Sequence, residues 1–159
     1  MKSVLMKSPG GCLRIYASAL GVTQIDFLDD DLGEGKADGI TDDPILLQAV
    51  MELGEYFAGK RRAFEVAVDL QKGTAFQREA WEILRAIPYG QTISYGDQAK
   101  AMGRPKAVRA VGGANGRNPL PILVPCHRVV SSAGKLHGFS GGLAIKRFLL
   151  AVEGLTVPT

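Results

Sequence analysis

Apolar and polar positions alternate along the first 29 residues. Leu13, Ile15 and Ala17 fall on one face of an extended segment, with polar neighbours between them. Val22 and Ile25 are three apart, so a second strand is expected there with its register open, and Gly10-Gly11 and Gly21 mark turns. From residue 44 the period changes. Leu46, Val50, Leu53 and Phe57 recur at helical spacing behind Asp43-Pro44, a capping residue followed by proline at the first helical position, and Gly59 closes the segment. Phe64, Val66, Val68 and Leu70 alternate again and predict a strand. Gln71-Lys-Gly73 is a linker, which divides the chain into an α/β domain over 1–72 and a mainly helical domain over 73–159.

The second domain opens on Thr74-x-x-Gln77, a capping box. Phe76, Ala80, Ile83, Leu84 and Ile87 stripe the helix behind it until Pro88, and Trp81, bordering that stripe, is expected in the core. Ser94 can cap a short helix carrying Ala99 and Met102. Gly103-Arg-Pro105 then breaks the chain, with Pro105 placed to start a helix from Lys106 to about Gly116. Two short helices around a tight Gly-containing turn suggest a helix-turn-helix, with an ordinary helical hairpin as the alternative. Ala107, Val111 and Ala114 share one face of the second helix, and Arg109, Gly112, Gly113 and Gly116 the opposite one. Each interior glycine costs about 1 kcal/mol relative to alanine. A face kept that bare serves close approach, either by another helix or by a phosphate-rich partner. With one long cation on it, it suits a minor groove, with Arg109 inserted. A last helix carries Ile145, Phe148, Leu149 and Val152, with Lys146 and Arg147 pointing elsewhere. Glu153 follows at its end, where an acid opposes the helix dipole. Either that acid is solvated or something nearby needs a carboxylate.

Composition narrows the classes. A chain of 159 residues, 46% hydrophobic and 22% charged, suits one or two small domains with a real core. Residues 1–90 hold 10 Lys+Arg against 14 Asp+Glu, whereas residues 91–159 hold 9 against 2. That basic second half favours a polyanion such as nucleic acid. The acids cluster in 29–43, a stretch expected to be a solvated loop. Two distant cysteines and two histidines make a structural zinc site unexpected. Nothing resembles a signal peptide and no apolar run would span a membrane, so the expected compartment is the reducing cytoplasm.

The chemistry concentrates in Leu120-Pro-Ile-Leu-Val-Pro-Cys-His-Arg-Val-Val130. Cys126 and His127 are adjacent, and a thiol becomes a nucleophile when a base or cation raises its thiolate fraction. The alternative is an inert buried cysteine at the end of a core strand. Arg128 reads as structural, and Glu153 is a candidate partner for His127.

These residues resemble the O6-alkylguanine-DNA alkyltransferases (methylated-DNA–protein-cysteine methyltransferases). The likeness runs from about Glu55 to Gly154. It rests on Glu55-Tyr-Phe-Ala-Gly59, Gly73-Thr-Ala-Phe-Gln77, Ile87-Pro-Tyr-Gly-Gln-Thr-Ile-Ser-Tyr95, Arg109-Ala-Val-Gly112, Asn118-Pro119, Val124-Pro-Cys-His-Arg-Val129, Phe139-Ser-Gly-Gly142 and Glu153-Gly154. It implies a ribonuclease H-like α/β domain followed by a helical domain with a winged helix-turn-helix. It also implies irreversible, single-turnover transfer of an alkyl group from O6-alkylguanine in duplex DNA to Cys126, with O4-alkylthymine as a further substrate and no cofactor. In that scheme His127 draws off the thiol proton through water, Glu153 orients His127, and Tyr95 donates to the flipped guanine. Arg109 fills the gap in the base stack, and Asn118 hinges the recognition helix to the active-site segment. Pro121, Val129, Phe139, Ser140 and Gly141 would face the base, with the Ser140 N–H meeting O6. Ser94, Arg104, Lys106, Ala107, Gly112, Gly113, Asn115 and Arg117 would face the DNA. The protein would act as a monomer, with cooperative loading on DNA left open. Phe139 stands where many relatives have tyrosine, and the zinc ligands of some relatives are missing. Two other readings compete: a lesion-binding protein of the same fold without transfer, and a Cys-His hydrolase unrelated to nucleic acid.

Overall fold

The computed structural model describes residues 2–28, 41–139 and 142–158, which fall into two compact units, Met1–Leu70 and Gln71–Thr159. Most of the acidic stretch, and both Ser140 and Gly141, lie outside the described residues.

In the first unit β1 (Lys2–Ser8), β2 (Gly11–Ala17) and β3 (Val22–Leu28) form an antiparallel meander. The register of β3 has a physical answer. Ile15 faces Ile25 and Tyr16 faces Gln24, but Ala17 faces Val22, so Thr23 is one residue too many. A bulge of this kind lets Val22 and Ile25, three apart, both enter the core. Gly21 is required here, because a Cβ would meet the backbone of Ala67 and Val68 at 2.8 Å.

Helix α1 (Pro44–Phe57) starts as its cap predicts: the Asp43 carboxylate accepts the Leu46 N–H at 3.0 Å. Its buried face is rotated from the expected one. Leu46, Ala49, Leu53 and Tyr56 are buried, while Val50 and Phe57 lie at the margin. Small Ala49 lets the helix seat closely, and the Tyr56 ring packs on Phe64 at 5.4 Å. The segment Phe64–Leu70 corrects a second expectation. It makes a single parallel bridge, Val68 to Val22, and no strand. Glu52 supplies the reason. Its buried carboxylate accepts the N–H groups of Glu65 at 2.8 Å and Val66 at 3.1 Å, along with the Gln48 amide at 2.8 Å. Those backbone donors are committed to a side chain and cannot join a ladder. Burial disfavours the Glu52 charge, but these hydrogen bonds outweigh it and hold the carboxyl below its usual range.

The second unit is built on α2 (Ala75–Arg85), α3 (Tyr95–Ala101) and α4 (Val108–Gly116). They close on Ala80, Ala99, Met102, Val111 and Ala114, with Phe76, Ile83 and Tyr95 at the edge. The N-termini of α2 and α3 carry full capping boxes, Thr74 with Gln77 and Ser94 with Asp97. Trp81 is core, and its indole N–H reaches the Ala114 carbonyl at 2.9 Å, fixing α4 against α2. Gly103, at φ +72, ends α3 in a left-handed turn in which Arg104 N–H bonds Ala99 C=O and Gly103 N–H bonds Lys100 C=O. The next helix begins at Val108, two residues later than expected. Arg104 to Ala107 is first closed into a turn by the Ala107 N–H on the Arg104 carbonyl. A two-residue parallel pair joins β4 (Ile93–Ser94) to β5 (Val129–Val130), and α5 (Leu143–Val152) follows. Among the described residues, no helix is long and apolar enough to cross a membrane.

Candidate active site

Residues 120–130 are all buried, but the stretch up to Arg128 is a turn, and strand β5 comes only after the cysteine. Asn118 organises that turn. Its carbonyl oxygen accepts the Leu120 N–H at 2.9 Å and its amide donates to the Val124 carbonyl at 2.8 Å. Asn118 lies just beyond α4, so that helix and the cysteine turn are joined through one side chain. Ile122, inside the turn, sits at φ +76. A β-branched residue there carries a strain of about 1–3 kcal/mol, offset by the burial of its side chain. Cys126, His127 and Arg128 complete the segment as a single 3-10 turn.

His127 and Arg128 converge on Glu153. The His127 Nε2 lies 2.6 Å from Oε2 of Glu153. Arg128 grips the same carboxylate with two nitrogens, at 2.9 and 3.1 Å, and donates its third to the Ile87 carbonyl at 2.7 Å. The Gly90 N–H adds a bond to Glu153 at 2.9 Å, and the Tyr89 hydroxyl ties the Val152 carbonyl at 3.0 Å. The Ile87-Pro-Tyr-Gly90 turn is therefore the cradle of Glu153. Gly154 fixes it from the other side: its φ of +82 ends α5 with Leu155 N–H on the Leu150 carbonyl. Burial opposes the Glu153 charge, but the hydrogen bonds from His127 and Arg128 outweigh it and hold the carboxyl at about 2. Burial depresses His127 below its ordinary range against the pull of Glu153. The pair is thus a neutral imidazole on an ionised carboxylate. The Nε2 donates to Glu153, which leaves Nδ1 as the basic nitrogen.

Burial pushes the Cys126 thiol up to about 11, against an Asn118 hydrogen bond and the positive charge of Lys146, which lower it. The expected bias towards thiolate is absent from the resting site. Cys126 lines a cavity of about 400 Å³ shared with Tyr95, Arg109, Gly112, Gly116 and Phe139. Tyr95 is pushed up to about 12, by burial and then by the charge of Cys126, so it is a neutral phenol. Its hydroxyl donates to the His137 carbonyl at 3.0 Å.

Lys146 corrects another expectation. It should point away from the apolar face of its helix, but it is completely buried, and burial lowers it to about 8. Its ammonium reaches the His137 carbonyl at 2.7 Å. The signal for it lay in Glu153. Lys146, Leu149 and Glu153 are spaced i, i+3, i+7, so an inward Glu153 brings Lys146 inward with it.

The face with Arg109, Gly113 and Gly116 is exposed, and a Cβ at Gly113 or Gly116 would have nothing within 4 Å. Helix packing does not account for those glycines. At Gly112 a Cβ would meet only the Tyr95 ring, at 4.0 Å. Arg104, Lys106 and Arg117 are exposed beside that face, and Ala107 is half-buried. The Ser94 hydroxyl accepts the Asp97 N–H as a cap. The buried Asn115 side chain is locked to Gln98 by two amide bonds of 2.7 and 2.9 Å, and the residue lines the same cavity as Cys126. Pro121 and Val129 are buried, with Val129 opposite Ile93 in the parallel pair. Among the described residues no group of three acids, histidines or cysteines could hold a metal.

This arrangement has close counterparts. Residues 75–155 match the 6-O-methylguanine DNA methyltransferase DNA binding domain, and residues 1–70 match the ribonuclease-like domain of the same proteins. The chain belongs to the 6-O-methylguanine DNA methyltransferase family. It is 46% identical to a methylated-DNA–protein-cysteine methyltransferase of Mycolicibacterium paratuberculosis, over 92% of this chain and 88% of that protein. The protein of that name from Methanosarcina acetivorans is 41% identical, over 97% of this chain and 99% of its own length. The crystal structure of Mycobacterium tuberculosis OGT in complex with DNA superposes with a TM-score of 0.83 at 41% identity, covering 95% of this chain and 91% of that one. As in other members of the methyltransferase family, a ribonuclease-like domain with a sheet precedes a helical DNA-binding domain.

Proposed function

We propose that this protein repairs DNA directly, by taking the alkyl group of an O6-alkylguanine in duplex DNA onto Cys126, once per molecule. The observation that carries this reading is Cys126 on the wall of the cavity that opens beside the bare face of α4, next to the His127–Glu153 pair. The target atom lies inside the duplex, so the nucleotide must be extruded to reach that cavity. Arg109 enters the minor groove and fills the vacated stack. The Cys126 sulfur then attacks the alkyl carbon, the carbon–O6 bond breaks, and its electrons pass to the guanine. The thiol proton leaves to His127 during the attack, since the resting thiol at about 11 is protonated. Tyr95 donates a hydrogen bond to the departing guanine, and the proton taken by His127 passes on through solvent to that guanine, so the net products are an unmodified guanine and a thioether. The thioether has no easy reverse reaction. Neither cofactor nor metal takes part. In this reading the protein works as a monomer in the cytoplasm.

Incubation with duplex carrying O6-methylguanine should add one methyl mass to the peptide containing Cys126. Transfer onto a Cys126→Ala protein would refute the assignment. A protein that binds the lesion tightly yet gains no mass would instead be a damage-flagging relative. Arg109→Ala should slow transfer from duplex by roughly tenfold or more, on the scale of an inserted side chain worth a few kcal/mol, yet leave free O6-benzylguanine within about twofold. Equal loss on both substrates would make Arg109 structural.

A further inference from the structure

Two donors share one acceptor at the mouth of the cavity. The Tyr95 hydroxyl lies 3.0 Å from the His137 carbonyl oxygen, and the Lys146 ammonium lies 2.7 Å from the same atom. Lys146 also reaches the Gly138 carbonyl at 3.4 Å and stands 5.8 Å from the centre of the Tyr95 ring. His137, Gly138 and Phe139 line the cavity. A carbonyl has two lone pairs, so both donors can be held at once.

The shared acceptor constrains Tyr95. In the resting protein its hydroxyl is engaged with its own chain, so donating to a guanine requires leaving His137. His137 is exposed in the resting protein, and a base seated in the cavity that it lines would displace water from that wall. A carbonyl abandoned by its donor in a dry site is costly, and the departure would be resisted. Lys146 removes that resistance, because it keeps the carbonyl hydrogen-bonded after the phenol has gone. It can do so because Lys146 is itself buried and has a second carbonyl, that of Gly138, at 3.4 Å.

We propose that Lys146 is a positioning residue for the transfer: by holding the His137 carbonyl it lets the Tyr95 hydroxyl pass from the protein to the leaving base. This rests on the reading of Tyr95 as the donor to guanine. It predicts that the two residues are coupled, which a lysine serving only to brace the residue 137–139 lip would not produce.

The test is a double-mutant cycle on the full chain, with free O6-benzylguanine as substrate, intact mass as readout, and the melting temperature of each variant as a check on folding. Lys146→Met should lower the maximal transfer rate roughly tenfold when Tyr95 is present, and by no more than about twofold in the Tyr95→Phe background. Equal factors in both backgrounds would overturn the hand-over. So would a Lys146→Met protein that only needs more substrate to reach an unchanged maximal rate, since that marks a plain brace. If Tyr95→Phe alone transfers at full rate, the donor role of Tyr95 fails and the hand-over falls with it. A slowed Tyr95→Phe with multiplying factors removes the hand-over alone. If Lys146→Met does not fold, Lys146→Gln, which lacks the charge but keeps a polar group, goes through the same cycle, and the same rate factors decide.

Discussion

Cys126 rests as a thiol, and this changes what its neighbours are for. A thiol held at about 11 has roughly a hundredth of the thiolate that one at 9 would have at neutral pH. The His127–Glu153 pair therefore acts when the sulfur attacks, and not before. The cysteine, the histidine and the stray acid were all legible in the chain, because scarce residue types were adjacent or misplaced. Arg128 could be read as structural but not placed on Glu153, and Lys146 was expected to point away from the apolar face of its helix. Only the geometry shows that one anchors Glu153 and that the other is bonded to the carbonyl of His137, a residue of the cavity wall. Glu153 also ties the site to stability. Its carboxyl falls from 4.5 to about 2 on folding, so the stabilisation is complete above 4.5 and is lost as pH drops towards 2. That linkage is worth about 3 kcal/mol. His127, depressed by burial, acts in the same direction, because the unfolded chain takes up its proton first as pH falls. Melting temperature should thus fall steeply between pH 4.5 and 2, and Glu153→Gln should start lower and show a flatter acid limb. An unchanged acid limb in that variant would place the titration elsewhere.

At the scale of elements, α4 carries the clearest conflict between folding and use. Its exposed glycines weaken the helix, and a side chain at Gly113 or Gly116 would touch nothing in the fold. Gly113→Ala should therefore stabilise the protein by up to about 1 kcal/mol while reducing duplex affinity, two effects of opposite sign read by melting and by DNA titration. A variant that gains stability with unchanged DNA binding would separate that face from DNA. The caps, the glycine stops and the apolar stripe of α2 could be read directly, because local chemistry decides them. The Phe64–Leu70 segment could not. Its alternation is that of a strand, yet a carboxylate contributed from 13 residues earlier takes its N–H groups. Periodicity carries no information about such a partner. The rotated faces of α1 and α5 have a similar origin: each holds a buried ionisable group, Glu52 or Lys146, that an apolar count leaves out.

At the scale of the molecule, the residues of the cavity and of the Glu153 network all come from the second unit. Glu52→Ala, which leaves two backbone N–H groups without their acceptor, should cost about 3 kcal/mol of stability. Folded protein should still transfer within about twofold of the normal rate. A larger loss of transfer in folded Glu52→Ala protein would give the first unit a part in the chemistry. The domain order and the basic second half were both legible because they are properties of long stretches, whereas the cavity needed residues from four separate segments. Because Cys126 stands on that cavity's wall, the group it accepts stays where the damaged base had been, and the product occupies its own substrate site. The protein would then let go of mended DNA because the work is done, with no separate signal for release. Protein alkylated beforehand with O6-benzylguanine should bind lesion-bearing and undamaged duplex with equal affinity, whereas Cys126→Ala should still prefer the lesion.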